Sequence, residues 1–309
     1  MTELALLGPI LAAMMTAATP LLFAALGELV VEKSGVLNLG VEGMMLVGAV
    51  CGFAAAVTTG SSTVGFIGGA AAGAAVSAVF GVLVLFLLAN QVATGLALTL
   101  FGIGLSALIG QGFVGIPLAD LPELNVPGLT DLPVIGKALF GQDALVYLAL
   151  FMVPAVHWFL FHTRAGLKLR AVGENQSAAH ALGYKVIGIR FLAVLFGGAM
   201  SGMAGAYLSL SYTPMWAEGL TGGRGWIAVA LVVFATWKPA RVLVGAWLFG
   251  GVTIAQLHIQ GLGIEVPSQL LSMLPYIATV VVLVVISRDV ARIRLNAPAS
   301  LGKVFHPDA

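Results

Sequence analysis

The sequence predicts an all-α helix bundle embedded in a membrane, a single transmembrane domain covering 1–309 with eight or nine spans. Two observations carry that prediction. Hydrophobic residues make up 60% of the chain and charged residues 9%, with a mean hydropathy of +1.05; a soluble domain carries about 25% charged residues. The apolar residues also fall in long continuous runs and do not alternate, which selects helices over a β-barrel.

A spanning helix needs about 20 mainly apolar residues. Apolar windows fall at 4–27, 43–58, 63–89, 92–111, 145–163, 190–212, 225–237, 241–259 and 268–287. The window at 225–237 is short for a full crossing, which leaves the count at eight or nine. The first window has no basic segment ahead of it and is long for a signal sequence, so it reads as an uncleaved span. The formal net charge of +1 and the lack of a basic stripe exclude a nucleic-acid partner. A single cysteine, Cys51, excludes a disulfide within the chain.

Basic residues orient the bundle. Segment 164–190 holds Arg164, Lys168, Arg170, Lys185 and Arg190, and the tail holds Arg288, Arg292, Arg294 and Lys303. Both are expected on the cytoplasmic side. That places the N-terminus outside and the C-terminus inside. The loop 112–144 then lies outside, long enough to form a cap or docking surface or to be a plain connector. Small residues recur every fourth position as Gly65, Gly69, Gly73, Ser77 and Gly81, as Gly102, Ser106 and Gly110, and as Gly198, Gly202 and Ala206. Such ridges read as packing seams, because close backbone approach drives helix association in lipid.

Three polar segments interrupt the apolar pattern. The first, 27–43, carries Glu28, Glu32, Lys33, Asn38 and Glu42 among Gly35, Gly40 and Gly43. It reads either as a discontinuous helix near 28–43 beside a wet cavity or as a solvated loop. The second, 163–184, can hold a short helix capped by Asn175 or Ser177 and stopped by Gly183 in a left-handed conformation. Its lone His180 has no second ligand nearby, so no metal is expected. The third runs from Gly222-Gly223-Arg224-Gly225-Trp226 to Trp237-Lys238-Pro239, a turn before a short span with Trp237 and Lys238 as an interfacial anchor. Motifs for ATP binding, zinc hydrolysis or a serine nucleophile are missing. No acid appears set deep in a clean span as a proton relay would require. An engine for uphill transport would have to come from another chain, and no cofactor is expected.

Together these segments resemble the permease subunits of ABC importers in the branched-chain amino acid, ribose and nucleoside group, most closely the nucleoside or simple-sugar permeases. The resemblance covers nearly the whole chain. It rests on Gly27, Glu28, Glu32, Ser34, Gly35, Asn38, Leu39, Gly40, Glu42, Gly43 and Met45, on Gly166–Glu174 with Ala178, Ala179 and Gly183, and on Gly223–Ala228 with Trp237 and Pro239. Thr99 stands where relatives often carry Asn, and Trp226 where they often carry Phe. The resemblance implies a permease subunit that is itself no enzyme, with a separate ATPase, a second homologous permease, an external binding protein and residence in the inner membrane. It favours the discontinuous-helix reading. Asn38, Glu42, Gln91, Thr94 and Thr99 become substrate-path candidates, and Arg170, Gly173, Glu174, Ala178, Ala179 and Gly183 candidates for coupling to the ATPase. A nucleoside is the expected cargo; a simple sugar such as ribose or a branched-chain amino acid is the alternative. A proton-coupled carrier using Glu28, Glu32 or Glu42 is the reading from another class.

Overall fold

The computed structural model describes residues 3–125, 127–130, 132, 135–261, 267, 270, 273–287 and 296–306. Arg288, Arg292 and Arg294, used above for orientation, lie outside them. Among the described residues seven helices are long and apolar enough to span a membrane, against the eight or nine expected. These are α1 (Glu3–Lys33), α2 (Val41–Thr59), α3 (Ser62–Gly81, extended by a π turn, Val82–Phe86), α4 (Gln91–Gly110), α6 (Ala144–His162), α9 (Val186–Tyr207, extended by a π turn, Leu208–Tyr212) and α11 (Pro239–Gly261). Shorter helices are α5 (Ile135–Phe140), α7 (Arg164–Glu174), α8 (Gln176–Ala181), α10 (Arg224–Phe234) and α12 (Leu274–Ser287).

The small-residue ridges lie inside the bundle. A Cβ added to Gly202 would run into the backbone of Gly69 and Gly73, one on Gly73 into Gly198, and one on Gly205 into the Met45 carbonyl. Helices α2, α3 and α9 therefore meet backbone to backbone, which lets dispersion hold them where lipid supplies no hydrophobic drive. Gly102 of α4 sits equally tightly on Gly43 of α2. The outward faces stay apolar, with Leu100 71% and Phe151 65% exposed, as a lipid-facing surface demands.

Two sequence expectations change. The irregular stretch is 34–40 and not 28–43, because α1 remains helical through Glu28 and Glu32. Charges at the end of an apolar run read as a helix exit, yet here both side chains are buried, at 1% and 0% exposure. Near the end of this helix the acids are therefore packed within the bundle instead of exposed. The 225–237 window is also no full crossing. Among the described residues its helix spans Arg224–Phe234, 11 residues, about 16 Å at 1.5 Å per residue. The chain enters it through an irregular segment, 213–223.

The bundle has two distinct ends. One, here the basic end, gathers the last turn of α1, α7, α8, the start of α9 and residues 296–305. The opposite end carries the segment 112–144, which bridges to 213–216 through Val114–Trp216 and Pro117–Met215. Trp216 packs on Gly110 at the end of α4. From there 217–223 descends into the bundle, and α10 continues toward the basic end.

Candidate functional site: a carboxylate clamp around a broken helix

Residues 34–40 are non-helical yet largely buried, so each backbone polar group there needs a partner. Side chains supply them. Glu28 Oε1 accepts from Asn38 N at 3.2 Å, and Gln91 Oε1 accepts from Leu37 N at 2.8 Å. Asn38 Oδ1 accepts from Gly40 N at 2.9 Å, while Thr99 Oγ1 donates to the Leu39 carbonyl at 3.1 Å. Gly35 takes φ +92°, a left-handed value that favours glycine. The stretch rises beside α4, where a Cβ on Gly95 would meet the Leu39 and Gly40 amides.

At the top of this stretch Glu42 opens α2, and its carboxylate caps a different helix. Oε1 accepts from Thr221 Oγ1 at 2.5 Å and Gly223 N at 2.8 Å, and Oε2 accepts from Gly225 N at 2.6 Å. Gly223 is the N-cap of α10 with φ +80°. The free N–H groups and positive dipole end of a helix that starts within the bundle are thus matched by a full negative charge. Gly225 is needed for this approach, since its Cβ would strike the Glu42 backbone.

The other end of α10 is held by α1. Trp237 Nε1 donates to Glu32 Oε2 at 2.5 Å. Trp237 is 3% exposed, so it is a buried link and not the interfacial anchor its neighbour Lys238 suggested. Thr236 and Trp237 both adopt left-handed φ, +48° and +54°. Such backbone costs about 1–3 kcal/mol per residue and persists only where the surroundings over-determine it; the Glu32 bond and Pro239 opening α11 supply that constraint.

Three glutamates of the first motif therefore hold the break (Glu28) and both ends of α10 (Glu42 and Glu32). A cavity of about 410 Å³ adjoins this clamp, lined by Glu42, Leu46, Ile103, Ser106, Ala107, Glu218 and Gly219 to Gly223 apart from Leu220. A second, of about 480 Å³, lies across the 222–224 turn, where Tyr212, Tyr276, Arg224 and Gln256 contribute.

The structure brings Asn38, Gln91 and Thr99 together around the break, with Glu42 at its upper edge. Thr94 is half-exposed on α4, away from these bonds. Of the coupling candidates, Gly173 is buried against the Lys33 carbonyl and Ala179 packs with Val172, Val186 and Phe305. Arg170 stacks on Phe161 at 4.9 Å. Glu174, Ala178 and Gly183 are exposed. Asn175 caps α8 through a 2.9 Å bond from Ala178 N, and Gly183 takes φ +85°, as its motif predicts.

The model of the family described as "branched-chain amino acid transport system / permease component" matches residues 10–286. The chain belongs to this family. It is 43% identical to a putative glucose ABC transporter permease of Haloferax volcanii over 94% of this chain and 95% of that one. It is 35% identical to a nucleoside ABC transporter permease of Lactococcus lactis, covering 89% and 90%. A guanosine ABC transporter permease of Bacillus subtilis is 31% identical, covering 90% and 92%. No solved structure matches. The chain is thus a membrane-embedded permease subunit of an ABC importer, a multi-pass protein of the inner membrane and a member of a transport family rather than a catalytic one. Among the described residues no group of three or more His, Cys, Asp or Glu could hold a metal.

Proposed function

We propose that the chain forms half of the translocation path of an ABC importer for a neutral sugar. The observation that carries this reading is the cavity beside Glu42. Its lining offers the Glu218 carboxylate, the Ser106 and Thr221 hydroxyls and glycine backbone, with Leu46, Ile103 and Ala107 as the apolar remainder and no aromatic ring. Acceptors and hydroxyls at several angles suit the vicinal hydroxyls of a sugar, and a volume of about 410 Å³ falls in the usual range for ligand sites. A branched-chain amino acid would need a cation for its carboxylate, and none lines this cavity. The 43% identical relative carries a glucose transporter name, which supports the same cargo class.

A nucleoside is the second reading, supported by the 35% and 31% identical relatives. The neighbouring cavity favours it specifically, since Tyr212 and Tyr276 could stack a base.

In this proposal the basic end faces the cytoplasm, with the N-terminus outside and the C-terminus inside. A separate ATPase docks on α7 and α8, where Glu174, Ala178, Leu182 and Gly183 are exposed, Leu182 to 76%. A second permease completes the path, and a binding protein meets the end carrying 112–144. Asn38, Glu42, Gln91, Thr94 and Thr99 line or support the path.

The test is ATP-driven uptake of labelled glucose by the reconstituted importer, with unlabelled guanosine as competitor. Ala107→Leu fills the cavity from a half-buried position off the packing ridge and is expected to cut uptake about tenfold, leaving assembly and binding-protein-stimulated ATP hydrolysis intact. Efficient competition by guanosine, or full uptake by Ala107→Leu, would refute the sugar reading.

A further inference from the structure

Residues 296–305 cross the basic end as a strap, although nothing in their apolar pattern requires it. The strap touches three parts of the molecule. On the coupling helix, Ser300 N donates to the Gly173 carbonyl at 2.9 Å, and Gln176 Nε2 donates to the Val304 carbonyl at 3.0 Å. On the break, Gly302 N donates to the Gly35 carbonyl at 3.1 Å, and Lys33 Nζ donates to the Asn296 carbonyl at 2.7 Å. On α8 and the start of α9, Phe305 packs into the Val172, Ala179 and Val186 cluster and meets the His180 ring at 5.3 Å.

Arg190 sits where these lines cross. It is 1% exposed, and among the described residues its hydrogen-bond partners are three neutral oxygens. Nε donates to the Ser34 carbonyl at 3.0 Å, Nη2 to Ser300 Oγ at 3.1 Å and Nη1 to the Lys303 carbonyl at 3.4 Å. A guanidinium buried without a carboxylate is expensive, and a hydrophobic residue would pack more cheaply. Its planar fork can however hold several oxygens in fixed directions at once. The oxygens it holds belong to the broken helix and the strap, and the strap's Ser300 in turn bonds Val172 and Gly173 of α7.

We infer that Arg190 and the 296–305 strap form the linkage that carries movement of the coupling helices to the 34–40 break. Arg190 is a positioning residue here, acting on the path through the Ser34 and Gly35 backbone and not by touching cargo. α7 meets this region directly where Gly173 closes on Lys33 and Gly35; the strap and Arg190 add directed hydrogen bonds to that contact, so that the two move as one body. The inference rests on docking of the ATPase at α7 and α8.

The experiment measures hydrogen exchange of the assembled importer in lipid nanodiscs, with ADP and with ATP plus vanadate, alongside cargo moved per ATP hydrolysed. In the wild type, exchange at 164–183 and at 34–40 should both change with nucleotide. In Arg190→Gln, and in the milder Ser300→Ala, 164–183 should still respond while 34–40 does not. Cargo per ATP should fall about fivefold with basal hydrolysis retained, and Arg190→Lys should restore part of it. Ser300→Ala removes only a hydroxyl and keeps the test decisive if Arg190→Gln does not assemble. A break that follows nucleotide in Ser300→Ala as in the wild type, with unchanged cargo per ATP, overturns the linkage alone. No response at 164–183 in the wild type overturns both the linkage and the docking reading.

Discussion

Glu42 shows how one side chain can set the position of a helix. Three donors from 221–225 converge on its two oxygens, and bonds to a charged acceptor are each stronger than neutral ones. Glu42→Ala would leave two backbone N–H groups and the Thr221 hydroxyl unpaired inside the bundle. Destabilisation of about 3 kcal/mol is expected, with Glu42→Gln losing about half as much because it keeps one acceptor. Denaturant unfolding in nanodiscs measures both, and an Ala variant as stable as the wild type would contradict the clamp. Glu42, Glu28 and Glu32 were visible in the sequence as a polar break, but their partners were not. The Glu42 partners lie about 180 residues away, at Thr221, Gly223 and Gly225, and no local period encodes such a pairing. The only sequence signal was that both motifs carry the same family resemblance. In the sequence Arg190 is one more basic residue of a loop, because its burial depends on a strap whose sequence has neither apolar run nor helical period.

At the scale of elements, the spans were legible because lipid enforces long apolar runs, and the glycine ridges because close packing needs small residues at a fixed spacing. What the apolar pattern hid was the irregular segment 213–223 leading into the short α10, since an irregular buried segment is stabilised by distant side chains and leaves no periodic mark. The continuation of α1 through Glu28 and Glu32 was hidden for the same reason. The ridges make a sharp comparison possible. A Cβ on Gly202 would meet the backbone of both Gly69 and Gly73, while one on Gly104 would meet nothing within 4 Å. Gly202→Ala should destabilise the bundle by about 1–3 kcal/mol, whereas Gly104→Ala should be neutral or slightly stabilising, since Ala exceeds Gly in helix propensity by about 1 kcal/mol. Parallel thermal melts in detergent check this; equal melting temperatures would refute the assignment of α2, α3 and α9 as a backbone-packed seam.

For the whole molecule, Glu28, Glu32 and Glu42 each accept a hydrogen bond from another element. Membership of a permease family favours an outside engine over a stand-alone proton pathway through these acids. In the proposed arrangement that engine acts at the basic end and a delivering partner meets the opposite end. The most direct measurement is uptake into proteoliposomes containing this chain, with and without its second permease, ATPase and binding protein, under either ATP or an imposed proton gradient. Uptake is predicted to require ATP and the full assembly, and to persist in Glu28→Gln, which keeps the acceptor for Asn38 N. Accumulation of cargo by this chain alone, driven by the proton gradient without ATP and abolished in Glu28→Gln, would contradict it.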